Sequence, residues 1–152
     1  MGIRVLAVGK KHESWIEAGL DRYAKRLRKP YDITWQFLAH SSREADAARA
    51  EESQRIEAKL DDAEVVVLLD ERGKMFDSVA FAAQLQRRLD TGKRVTIVIG
   101  GAYGVTEQLR QRADVVWSLS ALVFPHQLVR LILVEQVYRA QEISAGRQYH
   151  HV

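Results

Sequence analysis

Along this chain, segments whose hydrophobic pattern is typical of strands alternate with segments whose pattern is typical of helices. Buried strands are predicted from apolar runs at Ile3–Gly9, Glu64–Asp70, Arg94–Ile99 and Val115–Leu119, and an edge strand from the apolar and polar alternation of Tyr31–Ala39. Segments with helical period separate them, at about Glu13–Lys29, Glu44–Leu60, Ser78–Asp90, Thr106–Arg112 and Pro125–Ser144. Strands that alternate with helices predict a three-layer α/β domain with a mainly parallel sheet.

Local signals set the expected boundaries of these elements. Pro30 ends the first helix because proline cannot continue its hydrogen-bond ladder. Ser42 and Ser78 are expected helix caps, and Glu71–Asp77 is expected to be a loop. No internal repeat, low-complexity stretch or linker interrupts the pattern, so residues 1–152 are predicted to form a single domain.

The last predicted helix is apolar around most of its circumference, from Leu128 to Ile143. A helix on the surface of a monomer shows one apolar stripe, so this helix requires cover on two sides. In a domain this small, the second cover is most simply another copy of the chain, which predicts a homodimer. The alternative is a central helix packed entirely within the monomer.

Composition narrows the classes of function. The chain is 47% hydrophobic and 28% charged, as in ordinary globular proteins. It has no cysteine, which excludes disulfides, thiolate nucleophiles and cysteine-ligated zinc. Without an apolar run of roughly 20 residues or a signal-peptide pattern, we expect no membrane contact and a cytoplasmic location. The net charge of +3 and the pI near 9.3 are compatible with an RNA partner but do not require one.

Two irregular loops follow predicted strands, which indicates a small-molecule pocket at the carboxyl ends of the strands. The first is the glycine loop, Gly100–Gly104, which is either a ligand site or only a tight turn. It is not a GxGxxG motif, and the chain has no GK[ST] phosphate loop. The second is the apolar loop, Leu119–Pro125, which must be buried or wrapped around something apolar.

Candidate polar residues follow the apolar loop. His126 falls in the first turn of the last helix, with Pro125 as its first residue, and would approach the glycine loop if the two preceding strands are neighbours. Arg130 lies four residues on, where it could orient a phosphate or pair with a carboxylate. Each has a purely structural alternative. The adjacent His150 and His151 lack metal-ligand spacing, so no metal is expected.

Basic and aromatic residues elsewhere could contact RNA. Four basic residues have helical spacing in the first helix: Arg22, Lys25, Arg26 and Lys29. They form either a solvated surface or a contact with the RNA backbone. The tail that contains Arg147, Tyr149 and His150 is either a frayed terminus or a strap over a site, with Tyr149 stacked on a base.

Taken in order, the motifs of the whole chain resemble one bacterial family. They are Val5-Leu-Ala-Val-Gly-Lys10, Leu69-Asp-Glu-Arg-Gly-Lys74, Ile99-Gly-Gly-Ala-Tyr-Gly104, Leu119-Ser120, Phe124-Pro-His-Gln127, Arg130, Glu135-Gln-Val-Tyr-Arg-Ala140 and Tyr149-His150. The family is that of ribosomal RNA large subunit methyltransferase H, of the SPOUT class, which methylates N3 of a pseudouridine in 23S ribosomal RNA. Tyr103 stands where the family often has a polar residue, so a contact with the substrate at this position would differ.

The resemblance implies a C-terminal trefoil knot, a homodimer and S-adenosyl-L-methionine as the methyl donor. Knots are rare exceptions to the usual rules of chain connection, and the periodicity does not indicate one. By position, the donor would contact Leu69, Gly100 and the apolar-loop residues Leu119, Ser120, Ala121, Leu122, Val123 and Phe124.

The resemblance also implies roles in methyl transfer. His126 and Arg130 are the catalytic candidates, and the substrate RNA candidates are Tyr103, Arg139, Arg147, Tyr149 and His150. The expected substrate is the assembled ribosome, because the basic content is low for binding free RNA. Two alternatives remain: a SPOUT methyltransferase acting on another ribosomal or transfer RNA position, and a non-catalytic ribosome-binding module.

Overall fold

A computed structural model describes residues 2–151 of the chain. Five strands alternate with five helices, in the order β1 (Ile3–Val8), α1 (Ser14–Ala24), β2 (Ile33–Leu38), α2 (Ala45–Glu57), β3 (Val65–Met75), α3 (Ser78–Leu89), β4 (Val95–Ile99), α4 (Glu107–Arg112), β5 (Val115–Ser118) and α5 (His126–Ser144). Every predicted element is present. None of the described helices combines the length and the apolar character needed to cross a membrane.

The five strands form one sheet in the order β2-β1-β4-β3-β5. All four strand pairs are parallel, which confirms the predicted α/β fold. Strand β2 lies at an edge, as its alternating pattern predicts. Because the strands are parallel, their carboxyl ends and the loops that follow them meet at the same edge of the sheet.

Two hydrophobic cores lie on opposite faces of the sheet and make the three layers. One core packs α1, α3 and α5 against strand residues such as Val5 and Ile97. The other packs α2 and α4 against residues such as Leu6 and Val98. Successive residues of a strand point to opposite faces, and so a continuous apolar run supplies both cores.

Helix α1 ends at Ala24, five residues before the predicted end at Lys29. The backbone that follows it is bound by Gln141 of α5, which accepts a hydrogen bond from the N–H of Arg28 at 2.7 Å and donates one to the carbonyl of Arg26 at 3.0 Å. This distant side chain replaces the helical partners of those groups. Lys25, Arg26 and Lys29 are therefore exposed but do not share a face of α1.

Strand β3 continues through much of the segment predicted as the loop Glu71–Asp77. Both Leu69 and Lys74 are in register with Trp117 of β5, so residues 70–73 bulge out of the ladder. A Cβ on Gly73 would lie 2.6 Å from the carbonyl of Val116, so only glycine permits this close approach. The polar composition of the segment concealed this strand, because its pairing with β5 is non-local.

The predicted helix caps were wrong at both positions. Helix α3 is capped by Asp77, whose carboxylate accepts a hydrogen bond from the N–H of Ala80 at 2.7 Å. Ser78 is the first helical residue, and its hydroxyl lies 2.8 Å from Gln136 Oε1. Helix α2 begins after Glu44 without a side-chain cap, so Ser42 lies outside it.

Candidate functional site

A cavity of about 1140 Å³ opens at the carboxyl edge of the sheet. It lies where β3, β4 and β5 end, and Leu69, Ile99 and Trp117 of these strands line it. Both predicted loops also contribute to its wall. The volume is slightly above the range of about 300–1,000 Å³ that is usual for small-molecule sites.

The apolar loop is largely open to solvent on the cavity side. Leu122 is 70% exposed and Val123 is 82% exposed, whereas Leu119 and Phe124 are half-buried. All four residues line the cavity, together with Ser120, but Ala121 does not. Of the two expected arrangements, burial in the core is therefore wrong. The exposed apolar side chains form a surface that an apolar ligand can cover.

Hydrogen bonds fix the backbone of this loop. The Ser118 hydroxyl donates to the carbonyl of Ser120 at 3.0 Å, and the Ser120 hydroxyl accepts from the N–H of Leu122 at 3.0 Å. These local bonds hold an irregular backbone that makes no sheet ladder. The loop can therefore present apolar side chains in a defined arrangement without burial.

The glycine loop forms the opposite wall. The N–H of Gly104 donates to the carbonyl of Gly101 at 3.0 Å, and Gly104 has a φ of +75°, which favours glycine. Arg49 of α2 donates a hydrogen bond from Nε to the carbonyl of Tyr103 at 2.8 Å. The Tyr103 side chain lines the cavity and is 43% exposed, so it is available to a large ligand at the mouth.

His126 is the first residue of α5 and lines the cavity. Pro125, the predicted first helical residue, is instead the cap residue, so α5 begins one position later than predicted. His126 lies close to the glycine loop, as predicted, because it makes a hydrogen bond with the backbone of Gly100. The prediction assumed that the two preceding strands are neighbours, which is wrong, since β3 lies between β4 and β5. The apolar loop carries the chain back past β3 toward the glycine loop.

The surroundings of His126 favour its neutral form. Burial lowers the pKa of its imidazole below 6.5, and nearby His40 and Arg130 lower it further. A backbone hydrogen bond with Gly100 and the charge of Glu52 oppose this shift but do not cancel it. A neutral imidazole that donates one N–H to a carbonyl keeps a lone pair on the other nitrogen, which can accept a proton.

Arg130 does not line the cavity. It is 2% exposed, and its Nη1 donates to the carbonyl of Lys10 at 2.8 Å and lies 3.4 Å from Nδ1 of His12. Its guanidinium carbon is 5.1 Å from the centre of the Phe37 ring. The side chain therefore extends toward the ends of β1 and β2, which the four-residue spacing from His126 could not indicate.

Two tail residues predicted to contact RNA form a network with Arg139 of α5. Arg139 makes two hydrogen bonds to Glu135, at 3.2 and 2.8 Å, and lies 4.8 Å from the centre of the Tyr149 ring. The Tyr149 hydroxyl donates to Glu135 at 2.8 Å, and His150 Nδ1 lies 3.0 Å from Arg139 Nη1. Burial and the Glu135 carboxylate raise the pKa of Tyr149, which therefore stays protonated.

The tail residues lie away from the cavity of their own chain. Arg147 contacts Glu142 at 2.9 Å, and neither the three tail candidates nor Arg139 of α5 lines the cavity. The tail is thus folded against α5 rather than frayed.

Sequence reasoning missed the charged residues around the cavity mouth. Asp70 follows the apolar part of β3 and pairs with Arg110 of α4 at 2.9 Å, while Arg72 lies 3.4 Å from the same carboxylate. Glu52 of α2 is 4% exposed and lies directly beneath Gly101. The buried face of α2, which carries Ala48, Glu52, Ser53 and Ile56, was the available signal. Because this face mixes small and polar residues, the sequence pattern did not reveal that it is buried.

The fold and the cavity define a parallel α/β protein with a large cavity at the carboxyl edge of its sheet. A family model described as "Predicted SPOUT methyltransferase" matches residues 1–150. Ribosomal RNA large subunit methyltransferase H of Geobacter sulfurreducens is 42% identical over 99% of this chain and 100% of that protein. The protein of the same name from Burkholderia thailandensis is 41% identical over 99% of both chains.

The chain therefore belongs to the SPOUT methyltransferases, in the family of ribosomal RNA large subunit methyltransferase H. This confirms the resemblance seen in the sequence motifs. A solved structure, described as a probable methylase family protein from Haemophilus influenzae Rd KW20, has a TM-score of 0.56 at 14% identity. The alignment covers 95% of this chain and 66% of that one, and the likeness concerns the fold alone.

Proposed function

We propose that the protein transfers a methyl group from S-adenosyl-L-methionine to N3 of a pseudouridine in large-subunit ribosomal RNA. The observation that carries this proposal is the cavity itself, in which an apolar loop faces a glycine loop and neutral His126 lies in the wall. The names of the relatives supply the ribosomal RNA and the methyl transfer.

The residues of the cavity fit the proposed donor, which supplies an activated methyl group on a sulfonium. Leu69, Leu122 and Val123 present apolar surface that suits the two faces of an adenine ring. The irregular backbone from Leu119 to Phe124 can hydrogen-bond the edge of the ring. Gly100 lines the cavity and has no side chain, so its backbone can approach the ribose and amino-acid parts closely.

His126 has the properties required of a general base. N3 of pseudouridine carries a proton and is a poor nucleophile until that proton is lost. A neutral imidazole in the cavity wall can accept this proton, while the cavity aligns the two reactants. Arg130 is not part of this step in our proposal, because its guanidinium lies behind the wall.

The proposed enzyme is a homodimer in which each tail acts at the partner's site. Arg139, Arg147, Tyr149 and His150 lie away from the cavity of their own chain, which supports this arrangement. The trefoil knot belongs to the same proposal. The course of α5, which returns from the β5 edge to contact α1 and the carbonyl of Lys10, supports it.

We further propose that the substrate is the assembled ribosome, in the cytoplasm. The net charge of +3 is low for binding free RNA by charge alone, so a preformed ribosomal surface would supply the selectivity.

The test is methyl transfer from radiolabelled S-adenosyl-L-methionine to ribosomes that lack the modification, compared with isolated ribosomal RNA transcripts. Digestion to nucleosides identifies the product. We expect label in 3-methylpseudouridine, formed faster on ribosomes than on transcripts. Equal rates would refute the assembled ribosome as substrate. Label in another nucleoside would assign a different position, and no label despite donor binding would favour a non-catalytic module.

A further inference from the structure

Beside the cavity, two unused hydrogen-bond donors converge on Gly9. A Cβ at this residue would lie 3.1 Å from Nε2 of His40 and 3.4 Å from Nη2 of Arg130. Gly9 has a φ of +129°, a conformation that side chains rarely adopt. Both contacts are tight for a side chain, so glycine keeps the space between the imidazole and the guanidinium free of one.

The guanidinium of Arg130 is buried without a compensating anion. Within the part of the chain that the structure describes, Arg130 forms no ion pair, and its hydrogen bonds run through Nη1 alone. Its Nε is buried and has no hydrogen-bond partner among these residues. A buried cation without a carboxylate is strongly destabilising, so an anion from outside the chain would complete its surroundings.

Other ionisable groups surround this space. The side chain of His40 is 55% exposed, and its Nδ1 lies 3.7 Å from the buried carboxylate of Glu52, so Nε2 is the ring nitrogen that faces Gly9. Nδ1 of His12 lies 3.4 Å from Arg130 Nη1, and Glu13 is the acidic residue that faces the guanidinium. Exposed Lys11 adds positive charge nearby.

The position of this space relates it to the proposed reaction. Gly9 directly follows β1, and β1 is the sheet neighbour of β4, which ends at the glycine loop. Neighbouring strands lie about 4.8 Å apart, so the space is within about one nucleotide of the cavity. Glu52 joins the two places, because it lies beneath Gly101 and beside His40.

We propose that Gly9, His40 and Arg130 form a binding site for one phosphate of the RNA backbone, next to the target nucleotide. The proposal rests on the proposed function for the identity of the ligand. Arg130 Nη2 and His40 Nε2 donate to two phosphate oxygens, and the absence of a side chain at Gly9 admits the group. This gives Arg130 a substrate-binding role outside the cavity.

The test is the salt dependence of binding to ribosomes that lack the modification. His40→Asp places a negative charge at the exposed side of the site. The control is Lys93→Gln, which changes the net charge equally. Lys93 lies just before β4, at the amino end of the parallel strands and so away from the site. Loss of one phosphate contact reduces the slope of log affinity against log salt by about 0.7. We expect this reduction in His40→Asp only, with unchanged affinity for the methyl donor.

A second arm uses inorganic phosphate and the NMR signals of the histidine rings. We expect phosphate to shift the His40 signals in the wild type and less in Arg130→Lys, which keeps the charge but loses the Nη2 group. Equal slopes for His40→Asp and Lys93→Gln would overturn the RNA-phosphate site. A phosphate-induced shift would support the anion site even if the protein did not bind ribosomes. The experiment therefore distinguishes failure of the anion site from failure of the proposed function.

Discussion

At the scale of single residues, the site depends on how His126 is held. It begins α5 beside the backbone of Gly100 and lines the cavity, where the surrounding wall removes part of the water from its imidazole although the residue remains exposed. Burial lowers its pKa, so the group is neutral at pH 7. A histidine with the same sequence neighbours but without this cavity wall would titrate near 6.5 and would be a weaker candidate for a base.

His126→Ala should slow methyl transfer by roughly 10²–10⁴-fold, the usual contribution of a positioned general base. Affinity for the methyl donor should change little, because the apolar loop and the glycine loop remain. Single-turnover rates and calorimetric titration measure the two effects separately. A rate within a factor of about two of the wild type would remove His126 from this role.

The lowered pKa of His126 also predicts the acidic limb of the pH profile. Because the pKa of His126 is depressed, the neutral base persists below pH 6.5, and the rate should fall only as pH passes through the lower value. In His126→Ala this limb should be replaced by a rate that follows hydroxide concentration over the whole range. A wild-type midpoint above 6.5 would contradict the lowered pKa.

At the scale of secondary-structure elements, α5 connects the site to the rest of the fold. Its first turn lines the cavity, Arg130 reaches the end of β1, and Gln141 binds the backbone that follows α1. Because these contacts lie along one helix, α5 fixes the position of the cavity wall relative to α1. Gln141 is 6% exposed, which makes its two hydrogen bonds difficult for water to replace.

Gln141→Ala should lower the free energy of unfolding by about 2 kcal/mol, because it leaves a backbone N–H and a carbonyl without partners. Urea denaturation measures this change. Gln86→Ala, at an exposed position of α3, is the control and should have almost no effect. If both variants were equally stable, the bonds from Gln141 would not hold the end of α1.

Features of this fold that depend on local sequence were predictable, and features that depend on distant pairing were not. The strands and the two loops were predictable because apolar runs and glycine clusters are local signals. The bulge of β3 at residues 70–73 was not predictable, because it depends on pairing with β5. The direction of Arg130 was hidden for the same reason, since Lys10 and Phe37 become its neighbours only in the folded sheet.

At the scale of the whole molecule, one side of α5 remains incompletely covered. Leu128 and Ile132 are half-buried and belong to neither hydrophobic core. Leu133 and Val137, on the other side, are buried in a core. Apolar residues left outside the cores of a small domain favour association with a second copy, as the pattern of the helix predicted.

Sedimentation should therefore give a species of twice the chain mass of 17.3 kDa. Ile132→Asp should shift it to the monomer, because a carboxylate in an apolar interface is strongly unfavourable. Val79→Asp, at an exposed position of α3, should leave the dimer intact. A wild-type monomer at micromolar concentration would rule out the proposed exchange of tails.

The most direct test of the account is titration of S-adenosyl-L-methionine into the wild type, Leu122→Ala and Met75→Ala. Both substituted residues are exposed and apolar, but only Leu122 lines the cavity. Loss of the Leu122 contact should weaken binding about tenfold, from the apolar area no longer covered. Met75→Ala should bind as the wild type does. Equal affinities of the two variants, or no binding by the wild type, would contradict the placement of the methyl donor in this cavity.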